Sequence, residues 1–188
     1  MRIISGSFKG KKILEPKDIK TRPLKDLTKE SIFNIIIHSK KFKIDLENSI
    51  ILDLFSGVGS FGIECLSRNV KKVIFIENYN GVLPILKKNL QNLSLNERFS
   101  VLEFDIYQSH IFSKLKNKFD IIFLDPPYKD KNLDKLLLEI YNKKILNKDG
   151  IVIIHRHKNE QDIIPNVFQI VDQKKYGISK ITFLTKLN

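Results

Sequence analysis

Short apolar and β-branched runs recur along the chain after residue 49. They are Ile50 to Phe55, Val73 to Glu77, Val101 to Asp105, Ile121 to Asp125 and Ile151 to His155, followed by Phe168 to Asp172 and Ile181 to Thr185. Each has the length of a strand and is bounded by polar or glycine-bearing segments. The stretches between the first five are long enough for crossover helices, the signature of a parallel sheet covered on both faces. Lys174 to Gly177 is only a hairpin-length link, so the last two strands are predicted antiparallel. The expectation is an α/β fold with a seven-stranded, mostly parallel sheet.

The first 43 residues read differently. Residues 2 to 14 alternate around Gly6 and Gly10 and predict a β-hairpin, followed by a proline-containing connection over residues 15 to 25. From Asp26 or Thr28, either of which could cap, to Ser39, the spacing of Ile32, Phe33, Ile35 and Ile36 predicts a helix with one apolar face. The predicted organisation is an N-terminal extension over 1–43 packed on a domain over 44–188, without internal repeats.

Composition narrows the classes. No apolar run approaches the roughly 20 residues of a membrane span, and the opening MRIISGSFKGKK has no uninterrupted apolar signal core. A single cysteine, Cys65, forbids an intrachain disulfide and suits a cytoplasmic protein; its apolar context marks it as a packing residue. The net charge is +12, and residues 1–43 hold 12 Lys or Arg against four acids. That clustering implies a polyanionic partner such as RNA or DNA, bound through its phosphates.

The first run leads into Asp53-Leu54-Phe55-Ser56-Gly57-Val58-Gly59-Ser60-Phe61-Gly62. Gly57, Gly59 and Gly62 have the spacing of a loop that brings backbone close to a nucleotide at a helix N-terminus. Glu77, at the end of the second run, could accept hydrogen bonds from ribose hydroxyls. These features fit NAD and S-adenosylmethionine equally well. Two carboxylates tilt the choice: Asp53 could meet the ammonium of a methionine moiety but would repel a pyrophosphate, and Asp105 could accept from the adenine amine.

The fourth run ends Asp125-Pro126-Pro127-Tyr128. Two prolines remove two backbone donors and fix φ, leaving a rigid cluster of acceptors. An exocyclic amine is a weak nucleophile because its lone pair is conjugated with the ring. If the Asp125 carboxylate and the Pro126 carbonyl each accept one N–H, the lone pair faces the donor methyl and the developing charge is stabilised. Tyr128 offers a face on which a flipped base can stack. His155, Arg156 and His157 are read as solvated or structural residues near the rim, and Asp120 as a strand-start cap. No metal is expected, since His38, His110, His155 and His157 have no zinc-like spacing with a cysteine.

These residues together resemble the bacterial 16S ribosomal RNA (guanine(966)-N2)-methyltransferases of the small subunit. The likeness covers RIISGSFKGKKI, TRPLKDLTKESIFNII, LDLFSGVGSFGIECLSR, FIE at 75–77 and DIIFLDPPY at 120–128. It implies the class I S-adenosylmethionine-dependent methyltransferase fold, which is Rossmann-like with the last strand antiparallel. It also implies methylation of guanine N2 of 16S rRNA; a small enzyme with a short arm is expected to act as a monomer on an assembled or assembling subunit. Carried over, Asp53, Phe55, Gly57 and Gly59 border the methionine part of the cofactor, Glu77 its ribose and Asp105 its adenine, while Asp125 to Tyr128 hold the guanine. Arg2, Lys9, Lys11, Lys12, Arg22 and Lys25 are implied to grip RNA. One departure is visible: Leu24 and Lys25 follow Pro23 where the family pattern has Thr or Ser. The alternatives are a DNA adenine-N6 methyltransferase, which shares DPPY but needs a base-reading module; an NAD-dependent oxidoreductase; and a non-catalytic RNA-binding protein.

Overall fold

The computed structural model describes residues 1–16, 24–108 and 111–187, apart from the side chain of Asn96. Its strands are β1 (Ile50–Leu54), β2 (Lys72–Ile76), β3 (Phe99–Leu102), β4 (Phe119–Leu124), β5 (Leu146–His157), β6 (Phe168–Tyr176) and β7 (Ser179–Lys186). Its α-helices are α1 (Asp26–His38), α2 (Ser60–Ser67), α3 (Leu83–Gln91) and α4 (Leu133–Asn142). The strands form one sheet in the order β3-β2-β1-β4-β5-β7-β6, parallel except that β7 runs against both its neighbours.

Alternation along each strand sends side chains to two apolar layers. In β1, Ile51 joins a layer with α1, α2 and α3, including Phe33, Phe61, Leu66, Leu86 and Leu90, whereas Leu52 and Leu54 join the layer under α4. Leu133, Leu136, Leu137 and Ile140 give α4 its buried stripe at helical spacing. Ile3, Ile13, Leu24 and Ile32 belong to the first layer, so the N-terminal segment and α1 share the core of the sheet.

Four polar anchors hold that segment. The Glu64 carboxylate on α2 accepts the N–H groups of Ile4 at 2.7 Å and Ser5 at 3.0 Å. Ser67 takes the N–H of Ser7 on its carbonyl and that of Phe8 on its hydroxyl, and Asn89 of α3 exchanges two hydrogen bonds with the backbone of Leu14. Lys29 on α1 is fully buried; its Nζ donates to the Arg2 carbonyl at 2.7 Å and lies 3.7 Å from Glu64 Oε2. Burial pulls the Lys29 pKa down, while the Glu64 and Asp26 charges work against that shift.

Several elements differ from their sequence pattern. The N-terminal hairpin forms but stays short: Arg2 bridges Lys12, and Ile3, Gly10 and Ile13 donate to the carbonyls of Lys11, Ile3 and Met1, while the N–H groups of residues 4, 5, 7 and 8 bond to α2. The N-cap of α1 is Lys25, without a side-chain cap, rather than Asp26 or Thr28; Asp26 sits in the first turn and complements the helix dipole. Strand β3 starts at Phe99 and ends at Leu102, three residues before Asp105. Between β3 and β4 the described residues carry only a 3₁₀ turn, Phe112–Lys114, where a crossover helix is expected. Asp120 accepts the Ile50 N–H at 2.8 Å, in keeping with a role at the strand start, and Cys65 is fully buried. Among the described residues, no helix is long and apolar enough to cross a membrane.

Candidate functional site

The sheet order reverses at β1, whose neighbours β2 and β4 lead the chain in opposite directions, and ligands of such sheets bind at the carboxyl ends of strands at this switch point. A cavity of about 390 Å³ lies there. Asp53, Phe55 and Gly57 line it from β1 and the loop after it, Glu77 from the end of β2, and Asp125, Pro126, Pro127 and Tyr128 from the end of β4.

The loop after β1 is built on left-handed backbone. Gly57 and Gly59 have φ of 55° and 85°, and Phe55, which is not glycine, has φ 58°. A Cβ on Gly62 would stand 2.3 Å from the Phe75 ring, so this glycine lets α2 approach β2. Glu77 fastens the loop: its Oε2 accepts the Gly57 N–H at 2.7 Å, and its Oε1 accepts the N–H groups of Asn78 and Tyr79, both at 2.9 Å. A carboxylate has about four acceptor positions, so ribose hydroxyls can still be accommodated.

Asp53 is 1% exposed and its Oδ2 accepts the Gly62 N–H at 3.0 Å. Burial pushes its carboxyl pKa well above the ordinary range; the Gly62 bond opposes the shift, and the charges of Asp125 and Glu77 add to it. A buried carboxylate in that condition suits a cationic ligand group.

The Asp125–Tyr128 segment is held from behind by Arg156, whose side chain is 2% exposed. Its guanidinium donates to the Pro127 carbonyl at 2.9 Å, the Asp130 carbonyl at 2.8 Å and Asp162 Oδ1 at 2.9 Å. Pro126 is buried, and the Tyr128 ring meets the edge of His157 at 5.4 Å. Phe61 and Phe123 stack at 4.0 Å and also line the cavity.

Of the solvated or structural roles near the rim that the sequence left to His155, the structure excludes the solvated one: it is 6% exposed, lines the cavity, and places Nδ1 2.9 Å from Asp125 Oδ1 and Nε2 2.9 Å from Ser179 Oγ. Arg156 is likewise buried rather than solvated. Register was the available signal for His155: Leu124 pairs with Ile154, so the next residues of the two parallel strands are Asp125 and His155. Leu24, noted only as a departure, is 3% exposed and forms part of the cavity wall, as do Asn78 and Tyr79.

Two expected cofactor residues stand apart from the cavity lining. Gly59 lies behind it, where a Cβ would meet Leu86 at 2.6 Å. Asp105 sits in the turn after β3 and accepts the Tyr107 N–H at 3.0 Å. Tyr107 packs on Phe55 at 6.0 Å and donates its hydroxyl to Asp130 Oδ2, bridging the loops after β3 and β4. Of the expected RNA contacts, Arg2, Lys9, Lys11, Lys12 and Lys25 are exposed, although Lys11 donates to the Asn92 carbonyl and Arg2 lies 3.7 Å from Asp26. Arg22 lies outside the described residues. Among the described residues, no cluster of His, Cys, Asp or Glu could hold a metal ion.

Comparison with known proteins places this arrangement in a family. A Bacillus subtilis (strain 168) chain, YlbH, is 35% identical over 189 residues, covering 99% of each chain. The Haemophilus influenzae protein named ribosomal RNA small subunit methyltransferase D is 31% identical over 182 residues, covering 95% of this chain and 90% of that one. The solved Escherichia coli yhhF chain has the same fold, with a TM-score of 0.82 at 22% identity over 99% of this chain and 97% of that one. The model of the family described as conserved hypothetical protein 95 matches residues 1–185. The chain belongs to that family, among whose members are the small subunit ribosomal RNA methyltransferase D proteins.

Proposed function

We propose that this protein methylates the exocyclic N2 amine of a guanine in 16S ribosomal RNA, with S-adenosylmethionine as the methyl donor. The coarser part, methyl transfer to ribosomal RNA, rests on relatives spanning nearly the whole chain. The choice of guanine N2 rests on the resemblance noted in the sequence. The observation that carries the chemistry is the shared cavity, in which Asp125, Pro126 and Tyr128 face Asp53, Gly57 and Glu77.

S-adenosylmethionine supplies an electrophilic methyl on a sulfonium sulfur. Asp53 would pair with the ammonium of its methionine part, the N-terminus of α2 at Ser60 with its carboxylate, and Glu77 with its ribose. Asp105, in the turn after β3, would accept from its adenine amine. Tyr128 would stack on the flipped guanine. The Asp125 carboxylate and the Pro126 carbonyl would each accept an amine hydrogen, turning the nitrogen lone pair toward the methyl. Bound there, the sulfonium would give up its methyl and keep the electron pair of the carbon–sulfur bond, while Asp125 and Pro126 hold the attacking nitrogen in place. The Asp125 carboxylate takes the surplus proton from nitrogen and releases it to water. Lys9, Lys12 and Lys25 would meet RNA phosphates as exposed cations.

Small subunits lacking the modification, incubated with the enzyme and labelled donor, test the assignment when the methylated nucleoside is identified by mass. N2-methylguanosine is expected. N6-methyladenine in duplex DNA instead would favour the adenine methyltransferase.

A further inference from the structure

We infer that His155 is the positioning residue for Asp125: its Nδ1–H fixes one carboxylate oxygen so that the other faces the amine, and the site works only while this imidazole is neutral. The inference rests on the proposed methyl transfer and deepens it.

The geometry is a chain of three groups on three adjacent strands. Asp125 follows β4, His155 lies in β5 and Ser179 opens β7, with both links at 2.9 Å. Facing a carboxylate, Nδ1 must carry a proton. In the neutral imidazole Nε2 is then an acceptor, and the Ser179 hydroxyl, itself 4% exposed, donates to it. Two fixed hydrogen bonds leave the ring no alternative tilt, and through it Asp125 Oδ1 is committed. Oδ2 remains to receive the substrate N–H.

Protonating His155 changes Asp125 without moving it. An imidazolium at this distance neutralises the carboxylate, weakening both its pull on the amine hydrogens and its capacity to take the released proton. Burial favours the neutral ring, but the Asp125 charge and hydrogen bond outweigh burial and hold the His155 pKa above its ordinary value, with Arg156 opposing them. The surrounding charges are largely committed. Arg156 pairs with Asp162 and Glu160, Lys180 of β7 lies 3.6 Å from Asp162, and Asp53 of β1 lines the same cavity. His157, the next residue on the same strand face, meets the Tyr128 ring. Asp125 is thus the carboxylate that sets the charge state of His155.

The test has two arms on the full-length protein. The first follows the His155 ring resonance by NMR against pH, with no turnover required. Its midpoint should lie above about 6.5 and fall in Asp125→Asn. A midpoint at or below that value, or one indifferent to Asp125→Asn, overturns the inference. The second arm measures kcat against pH. Wild type should lose about tenfold per pH unit below the NMR midpoint. His155→Asn keeps a donor near Nδ1 but cannot titrate, so its acid limb should vanish while kcat at pH 8 stays within about tenfold. His155→Phe should lose on the order of 100-fold in kcat with S-adenosylhomocysteine affinity retained, which also shows that it is folded. Persistence of the acid limb in His155→Asn, or wild-type kcat in His155→Phe, contradicts the role. Absence of transfer to any RNA would instead sink the assigned reaction, leaving the titration to decide the His155–Asp125 link.

Discussion

Asp53→Asn should make the ligand-free protein more stable and the ligand-bound one weaker. Asp53 is buried beside Gly62, with a carboxyl pKa raised well above the usual range, chiefly by burial. The unfolded chain ionises this group near pH 4. Between that pH and the folded value the unfolded state binds fewer protons than the native state, so stability falls as pH rises through the window. At neutral pH the side chain therefore opposes folding. Each pKa unit corresponds to about 1.4 kcal/mol, and 1 kcal/mol moves the melting temperature of a chain this size by about 2–4 °C. Asparagine keeps an acceptor for the Gly62 N–H and carries no charge. The variant should melt about 5 °C above wild type at pH 7.5 without ligand, and the gap should close toward pH 4. Losing the partner of the ligand ammonium should cost about 1.5–3 kcal/mol, or about 10–100-fold in S-adenosylhomocysteine affinity. Thermal melting across pH and calorimetric titration read both quantities. A variant that melts at or below wild type at pH 7.5, or that binds the ligand as tightly, refutes the assignment of Asp53.

Other substitutions probe separate parts of the site. Arg156→Met removes the two hydrogen bonds that hold the segment after β4 and the ion pair with Asp162; melting should drop on the order of 10 °C, since breaking a buried ion pair costs about 3–5 kcal/mol. Gly62→Ala sets a Cβ 2.3 Å from Phe75 and 2.9 Å from Asp53 Oδ2, so the melting shift produced by S-adenosylhomocysteine should shrink severalfold. Combined Lys9→Ala and Lys12→Ala should weaken binding of a small-subunit RNA fragment and lower the salt slope by about 2, measured by filter binding, with ligand affinity unchanged.

The sequence carried the sheet well because its strands are nearly unbroken apolar runs, as buried parallel strands must be. Ile121 to Leu124 and Ile151 to Ile154 are buried throughout. It carried the glycine loop and Asp125–Tyr128 because both are constraints on backbone, glycine for left-handed φ and proline for missing donors. It misplaced β3 because Val101-Leu102-Glu103-Phe104 reads like a strand, while pairing with β2 stops at Leu102 and the Asp105 turn then takes over. The hairpin forms but stays short for a nonlocal reason: Glu64 and Ser67, some 60 positions away, take the N–H groups of residues 4, 5, 7 and 8. His155 was hidden for a similar reason. Its partner Asp125 becomes visible only once the register of two strands 30 positions apart is known.

The most direct test of the account is single-turnover methyl transfer by Asp125→Asn on small subunits, alongside its affinity for S-adenosylhomocysteine. If Asp125 acts on the target amine, transfer should slow by about 100-fold or more while ligand affinity stays within about threefold of wild type. Transfer at the wild-type rate would show that the amine is activated elsewhere and contradict the account.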